Sequence, residues 1–139
     1  MGERFDFIDR LHARTALMAI GASTLRNQGA SGVVDAARKC LRAMDLRDFS
    51  QAARPGFSAS LNRHMQSLMR RFPGGARNNW GAARKAINVF LRDVLYSRRL
   101  CDRFGLARVE AWLELPLDKS VYQGLVDDWP GDSGPPPWP

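Results

Sequence analysis

Hydrophobic positions along most of the chain recur every three to four residues, which is the spacing of one face of an α-helix. The first such pattern starts at Phe5, continues through Ile8 and Leu11, and ends near Gly29. No stretch alternates apolar and polar residues in the way that a half-buried strand does. The pattern therefore predicts an all-α fold, a compact domain of several helices.

Capping residues and helix breakers divide the next part of the chain. Ser31 is the predicted N-cap of a second helix, and a short segment from Leu46 is predicted to stop at residues 54–56, RPG. Ser58 is then the predicted N-cap of a fourth helix, which ends at residues 73–75, PGG.

The longest predicted helix covers residues 80–104 and is closed by Gly105, because glycine readily takes the left-handed conformation that follows many helices. A short helix over residues 109–113 follows, and Asp118 is the predicted N-cap of the last helix. Residues 1–128 are thus predicted to form a single helical domain, followed by an extended Pro-rich tail over 129–139. The apolar stripe of the longest helix consists of Ala83, Ala86, Ile87, Phe90, Leu91 and Val94.

Composition agrees with one globular domain of 139 residues, since 45% hydrophobic and 25% charged residues exclude wholesale disorder. No apolar run reaches the roughly 18 residues of a membrane span. The N-terminus lacks the apolar stretch of a secretory signal, so we expect a cytoplasmic protein without membrane contact.

The distribution of charge indicates a polyanionic partner. The net charge is +7, yet residues 54–108 alone carry 12 basic and two acidic residues, whereas residues 109–139 carry a net −5. A basic block of this density favours binding to phosphates, because neutralising them releases condensed counterions. The alternative is an arginine-rich surface that is merely solvated.

Metal and cofactor sites have no support in the sequence. His12 and His64 have no cysteine or carboxylate at a metal-ligand spacing, and Cys40 and Cys101 are expected to be small buried hydrophobes. No glycine-rich phosphate-binding loop is present. We therefore expect no metal and no cofactor.

A polar face of the longest predicted helix holds the candidate chemistry. Lys85 lies in the opening turns beside Arg84, where the positive end of the helix dipole disfavours an ammonium group. A lysine that gives up its proton can act as an amine nucleophile, which an arginine cannot. The alternative is again a solvated face, whose members are Lys85, Asn88, Arg92, Tyr96 and Arg99.

Two segments carry a resemblance to a known family. Residues 81–91 read GAARKAINVFL, and residues 115–121 read LPLDKSV. The first resembles the second half of the hairpin motif of the helix-hairpin-helix (HhH-GPD) superfamily of DNA glycosylases, and the second resembles its Pro/Val-Val-Asp-x-x-Val signature. The 33-residue spacing from Lys85 to Asp118 is similar to that of the archaeal 8-oxoguanine DNA glycosylase branch. The chain departs from the motif at Ala83, which replaces the second hairpin glycine, and at residues 78–80, NNW.

The resemblance implies excision of a damaged or modified base from duplex DNA, after the nucleotide is flipped out of the stack. Lys85 would attack C1′ and form a Schiff base that permits abasic-site lyase chemistry, and Asp118 would stabilise the cationic sugar. Trp80, Trp112 or Tyr122 would stack on the flipped base. The implied DNA-binding residues are Arg77, Asn79, Gly81, Arg84, Asn88, Arg92 and Arg99.

Two other functions fit the same residues. One is a non-catalytic helical module that binds DNA or RNA through the basic block. The other is a protein-interaction domain whose proline-rich residues 135–139 dock on an aromatic groove.

Overall fold

Helices make up the regular structure of the protein. The computed structural model describes residues 2–21, 25, 32–114, 119–132 and 134, with the side chains of 2–6 and 119–122 left out. No strand occurs in these ranges, so the predicted all-α class is confirmed for them. The α-helices are α1 (Gly2–Ala19), α2 (Val33–Ala43), α3 (Arg54–Arg71), α4 (Trp80–Tyr96), α5 (Arg98–Phe104) and α6 (Lys119–Asp127). Short 3-10 helices cover Leu46–Phe49, Gly74–Ala76 and Ala107–Trp112.

α4 is the central helix of the fold. It packs against α1, α2, α3, α5 and the 3-10 helix Ala107–Trp112. All six residues of the predicted apolar stripe are buried, and Ala82, Asn88 and Val89 are buried on other sides of the helix. α4 is therefore surrounded on more sides than an amphipathic surface helix with a single apolar stripe would be.

The start of α3 corrects the sequence prediction. Residues 54–56 begin this helix instead of ending the preceding segment, and Ser58 lies within it instead of capping it. Pro55 fits the first turn because proline lacks only an N–H that would have no partner in the helix there. α3 ends at Arg71, before residues 73–75, as predicted.

α1 and α2 also differ from prediction at their ends. α1 stops at Ala19 instead of near Gly29, although Ile20 and Leu25 are buried in the core beyond it. Their burial extends the apolar pattern past the end of the helix. The N-cap of α2 is Gly32, whose φ of 88° is left-handed; Ser31, the predicted cap, lies outside the described residues.

The predicted helix over residues 80–104 is two helices that meet at Ser97. The Ser97 N–H still donates to the carbonyl oxygens of Asp93 and Val94, but the backbone of Ser97 is extended, with a ψ of 100°, and this ends α4. The Ser97 Oγ accepts a hydrogen bond from the Leu100 N–H at 3.5 Å, which caps α5. Gly105 follows α5 with a φ of 63°, as predicted. The predicted helix over 109–113 is instead the 3-10 helix Ala107–Trp112.

Further predictions concern the C-terminal part. Asp118, the predicted N-cap of the last helix, lies outside the described residues, and so does most of the predicted tail over 129–139. α6 runs from Lys119 to Asp127, where the last helix was expected. Among the described helices, none combines the length and the apolar character that crossing a bilayer requires.

Candidate nucleic-acid interface

Arg84, one of the residues expected to contact DNA, is engaged inside the protein. Its Nε and Nη2 atoms each lie 2.5 Å from an oxygen of the Glu114 carboxylate, and Nη1 donates to Asn62 Oδ1 at 2.8 Å. The bidentate ion pair joins α4 to the segment that follows the 3-10 helix Ala107–Trp112. The guanidinium thus ties three parts of the fold together.

Asn88, a second member of the predicted set, completes this network from the buried side of α4. Its side chain is in the core, and the residue is only 3% exposed. Its Oδ1 accepts from the Glu114 N–H at 2.9 Å, while Nδ2 donates to the Arg84 carbonyl at 3.0 Å. The side-chain amide of Asn88, which was predicted to bind DNA, therefore contacts Glu114 instead.

The Arg84–Glu114 pair also sets the charge state of both partners. Hydrogen bonding to Arg84 lowers the pKa of Glu114 below its ordinary value of 4.5, against a smaller opposing effect of burial. The same hydrogen bond raises the pKa of Arg84 above its ordinary value. Glu114 is thereby held as a carboxylate at neutral pH.

This lowered pKa predicts a loss of stability in acid. Since the folded state favours the ionised form, the contribution of Glu114 is complete above pH 4.5 and disappears as pH falls through the folded-state value. We expect the difference in unfolding free energy between the wild type and Glu114→Gln to shrink between neutral pH and about pH 3. Urea unfolding of both proteins at several pH values measures it. A difference that does not vary with pH would contradict the assignment.

The segment that resembles a DNA-binding hairpin is only partly presented to solvent. Asn79 caps α4, its Oδ1 accepting from the Ala82 N–H at 3.0 Å, and Gly81 is exposed in the first turn. A Cβ on Gly81 would approach Asn79 Oδ1 only to 3.7 Å, an ordinary contact, so this position does not require glycine. Ala83, at the place of the second motif glycine, is 0% exposed and faces the core.

The connection between α3 and α4 carries accessible cations. We call residues 70–80 the hairpin end: Arg70 and Arg71 close α3, Arg77 lies in the connection, and Trp80 opens α4 with 57% of its surface exposed. All three arginines are exposed, and none forms an ion pair within the described part of the chain. The hairpin end is therefore a positively charged surface beside an accessible aromatic ring.

The four arginines of the implied DNA-binding set, Arg77, Arg84, Arg92 and Arg99, do not form one row. Arg77 lies in the connection before α4, and Arg92 lies near the end of α4, where it pairs with Asp93 at 3.0 Å. Arg99 is exposed on α5, beyond the break at Ser97. Because the 17 residues of α4 span roughly 25 Å, these side chains lie on separate regions of the surface.

The remaining predicted site residues are distributed differently. Lys85 is half-buried on α4 and has no ion pair among the described residues. Trp112 packs against the core, its ring centroid 5.9 Å from that of Phe57. Asp118 and the side chain of Tyr122 lie outside what the structure describes. Of the two proposed stacking residues whose side chains the structure describes, Trp80 is exposed and Trp112 is half-buried.

A basic groove between α1 and α2 was not found from the sequence. It encloses a cavity of about 1110 Å³, and five cationic side chains line it with one carboxylate, that of Asp35. Three of them, Arg38, Lys39 and Arg42, occur on α2 at positions i, i+1 and i+4, and this spacing was the available signal in the sequence. It was overlooked because the net positive charge of residues 1–53 is small. The five are Arg14, Arg38, Lys39, Arg42 and Arg71.

Both histidines have hydrogen-bonding partners within the fold. His12 Nε2 lies 2.9 Å from the Leu41 carbonyl oxygen, and His64 Nε2 lies 2.9 Å from Asp48 Oδ2. In the described ranges, no three histidine, cysteine or acidic side chains are grouped as metal ligands.

Comparison with known proteins yields no family model, no curated protein and no solved structure that matches the chain.

Proposed function

We propose that the protein is a helical nucleic-acid-binding domain that holds duplex DNA by its phosphates at the hairpin end. The observation that carries this proposal is a set of exposed arginines that form no ion pair within the described residues, beside the exposed ring of Trp80: Arg70, Arg71 and Arg77. Accessible guanidinium groups suit the negatively charged backbone of a duplex, because they donate hydrogen bonds to its phosphate oxygens.

The surroundings of the hairpin end support the same function. The sequence between Asp48 and Asp93 contains eight basic residues and no acidic one, so no carboxylate within it opposes a phosphate. The first turn of α4 likewise carries no acid, which leaves its positive dipole uncompensated. Both features favour an anion at the place where α4 begins.

The dependence of affinity on salt tests the proposal. For a short blunt duplex, we expect Arg70→Gln/Arg77→Gln to reduce the slope of log affinity against log salt by about 1.8, which is 0.9 for each lost phosphate contact. Fluorescence anisotropy over a salt series measures this slope. The matched control is Arg98→Gln/Arg103→Gln, which removes two exposed charges on α5 and should leave the slope unchanged. Equal slopes for the two variants would contradict the proposed surface.

A second candidate is DNA base excision with abasic-site lyase activity, as the resemblance implies. The observation that favours it is Lys85, a half-buried amine in the opening turns of α4 without a carboxylate partner in the described chain, while the neighbouring Arg84 is neutralised by Glu114. In this reaction the Lys85 nitrogen bonds to C1′ of the sugar, the glycosidic bond breaks and the base leaves with its electron pair. Asp118 would accept the proton that the amine gives up. Duplex DNA with a damaged or modified base is the proposed substrate.

A further inference from the structure

The groove between α1 and α2 combines charge with an apolar floor. Its floor is formed by Ala13 and Leu17 of α1 and by Ala36 of α2. Leu17 is 52% exposed, so a large apolar side chain is left in contact with water. Small alanines on both helices leave room for a ligand to approach the helix backbones. The cavity is of the size that encloses a small organic ligand or a short stretch of polymer.

The cations of the groove are available to a ligand. Arg14, Lys39 and Arg42 are exposed and form no hydrogen bond or ion pair within the described residues. Arg38 is fixed differently, because its Nε donates to the Ile20 carbonyl oxygen at 2.7 Å. The groove lining therefore contains three exposed cations without a partner in the described residues, the anchored Arg38 and Arg71, and its one carboxylate is that of Asp35.

Arg71 connects the groove to the hairpin end. It belongs to the last turn of α3, lines the groove, and forms a hydrogen bond with the Cys40 thiol of α2. Burial raises the pKa of that thiol, and the Arg71 charge offsets part of the rise. Arg71 therefore belongs both to the hairpin end and to the lining of the groove.

We propose that this groove binds an unpaired strand of nucleic acid. The cations contact successive phosphodiesters, and the floor packs against the sugars and the exposed faces of the bases. A duplex does not suit the groove, because the surface of a duplex is convex. Its bases are also stacked inside the double helix, where they cannot contact Leu17 and the rest of the apolar floor. The inference extends the proposed function, since it assigns paired DNA to the hairpin end and an unpaired strand to the groove.

The experiment compares variants on two probes, a short oligothymidine and a blunt duplex of unrelated sequence. The groove variant is Arg14→Gln/Lys39→Gln/Arg42→Gln, which leaves the anchored Arg38 in place. Its matched control removes three exposed charges elsewhere, in Arg47→Gln/Arg98→Gln/Arg103→Gln. A second pair tests the floor without changing charge. Leu17 lies in the groove and is replaced in Leu17→Gln, whereas its more exposed neighbour Met18 is not part of the groove lining and is replaced in the control Met18→Gln.

We expect the groove variant to bind oligothymidine at least about tenfold more weakly than its control, with a salt slope reduced by about 2. Its affinity for the blunt duplex should stay within about twofold of the control. Leu17→Gln should weaken oligothymidine binding and Met18→Gln should not. Since every substituted side chain is exposed, circular dichroism should show that all variants fold.

Several results would overturn the inference. One is equal binding of oligothymidine by the groove variant and its control. Another is an equal loss on the blunt duplex, which would make the groove part of a duplex-binding face. A third is identical behaviour of Leu17→Gln and Met18→Gln, which would leave only non-specific attraction. The hairpin variant Arg70→Gln/Arg77→Gln separates the two proposals. If this variant binds the duplex as well as the wild type does, the proposed function is wrong. The oligothymidine measurements on the groove variant then still show whether the groove binds an unpaired strand.

Discussion

Replacing Asn88 by leucine is expected to lower the free energy of unfolding by about 2 kcal/mol. The side chains are similar in size, so the change removes hydrogen bonds without opening a large cavity. The Glu114 N–H loses its acceptor, and the amide that donates to the Glu114 carboxylate is lost with it. This hydrogen bond is partly buried, and leaving such a donor unpaired costs more than the net gain of an average hydrogen bond. Urea unfolding followed by circular dichroism measures the loss.

The control for this prediction is Asn78→Leu, because Asn78 is exposed in the connection before α4. It should change the free energy of unfolding by less than about 0.5 kcal/mol. Equal effects of the two substitutions would show that the Asn88 network contributes nothing. Folded Asn88→Leu should also bind duplex DNA as the wild type does, since this side chain does not reach the surface.

Replacing Lys85 by glutamine is expected to abolish covalent complexes trapped by borohydride on abasic DNA, if the protein acts as a lyase. The Schiff base requires a primary amine, which glutamine does not have. Duplex affinity should stay within a few-fold, because only one of many cations is removed. Gel electrophoresis after borohydride treatment shows the trapped species directly.

The chain contains two further lysines, so Lys39→Gln is the matched control and should still be trapped. Asp118→Asn should lower base excision more than binding, since its proposed role is in the transition state. Trapping that survives in Lys85→Gln would place the nucleophile elsewhere. If the wild type is not trapped at all, the protein is a binding module without this chemistry.

Local sequence patterns predicted the helices but not all of their ends. The stripe from Ala83 to Val94 is buried as expected, because apolar residues at helical spacing have one stable place in a globular domain. The break at Ser97 was missed, since helix-forming residues continue on both sides of it and serine is a weak stop signal. The start of α3 was misread because proline at position 55 suits both the end of one segment and the first turn of another.

The site was less predictable because its contacts join distant parts of the chain. Exposure of Arg77 and Arg99 follows from local spacing, but Arg84 and Asn88 bind Glu114, which lies 30 and 26 positions away. No local pattern distinguishes an arginine that faces solvent from one that will find such a partner. The basic groove could not be predicted for the same reason, because α1 and α2 form it only when they pack together.

The central position of α4 determines how the domain unfolds. Four helices and one 3-10 helix rest on it, so separating any of them from α4 uncovers apolar surface on the helix that holds the others in place. Such an arrangement favours all-or-none opening over the release of individual pieces. Exchange of the α4 amide hydrogens with solvent therefore reports the cooperative stability of the domain that packs around this helix.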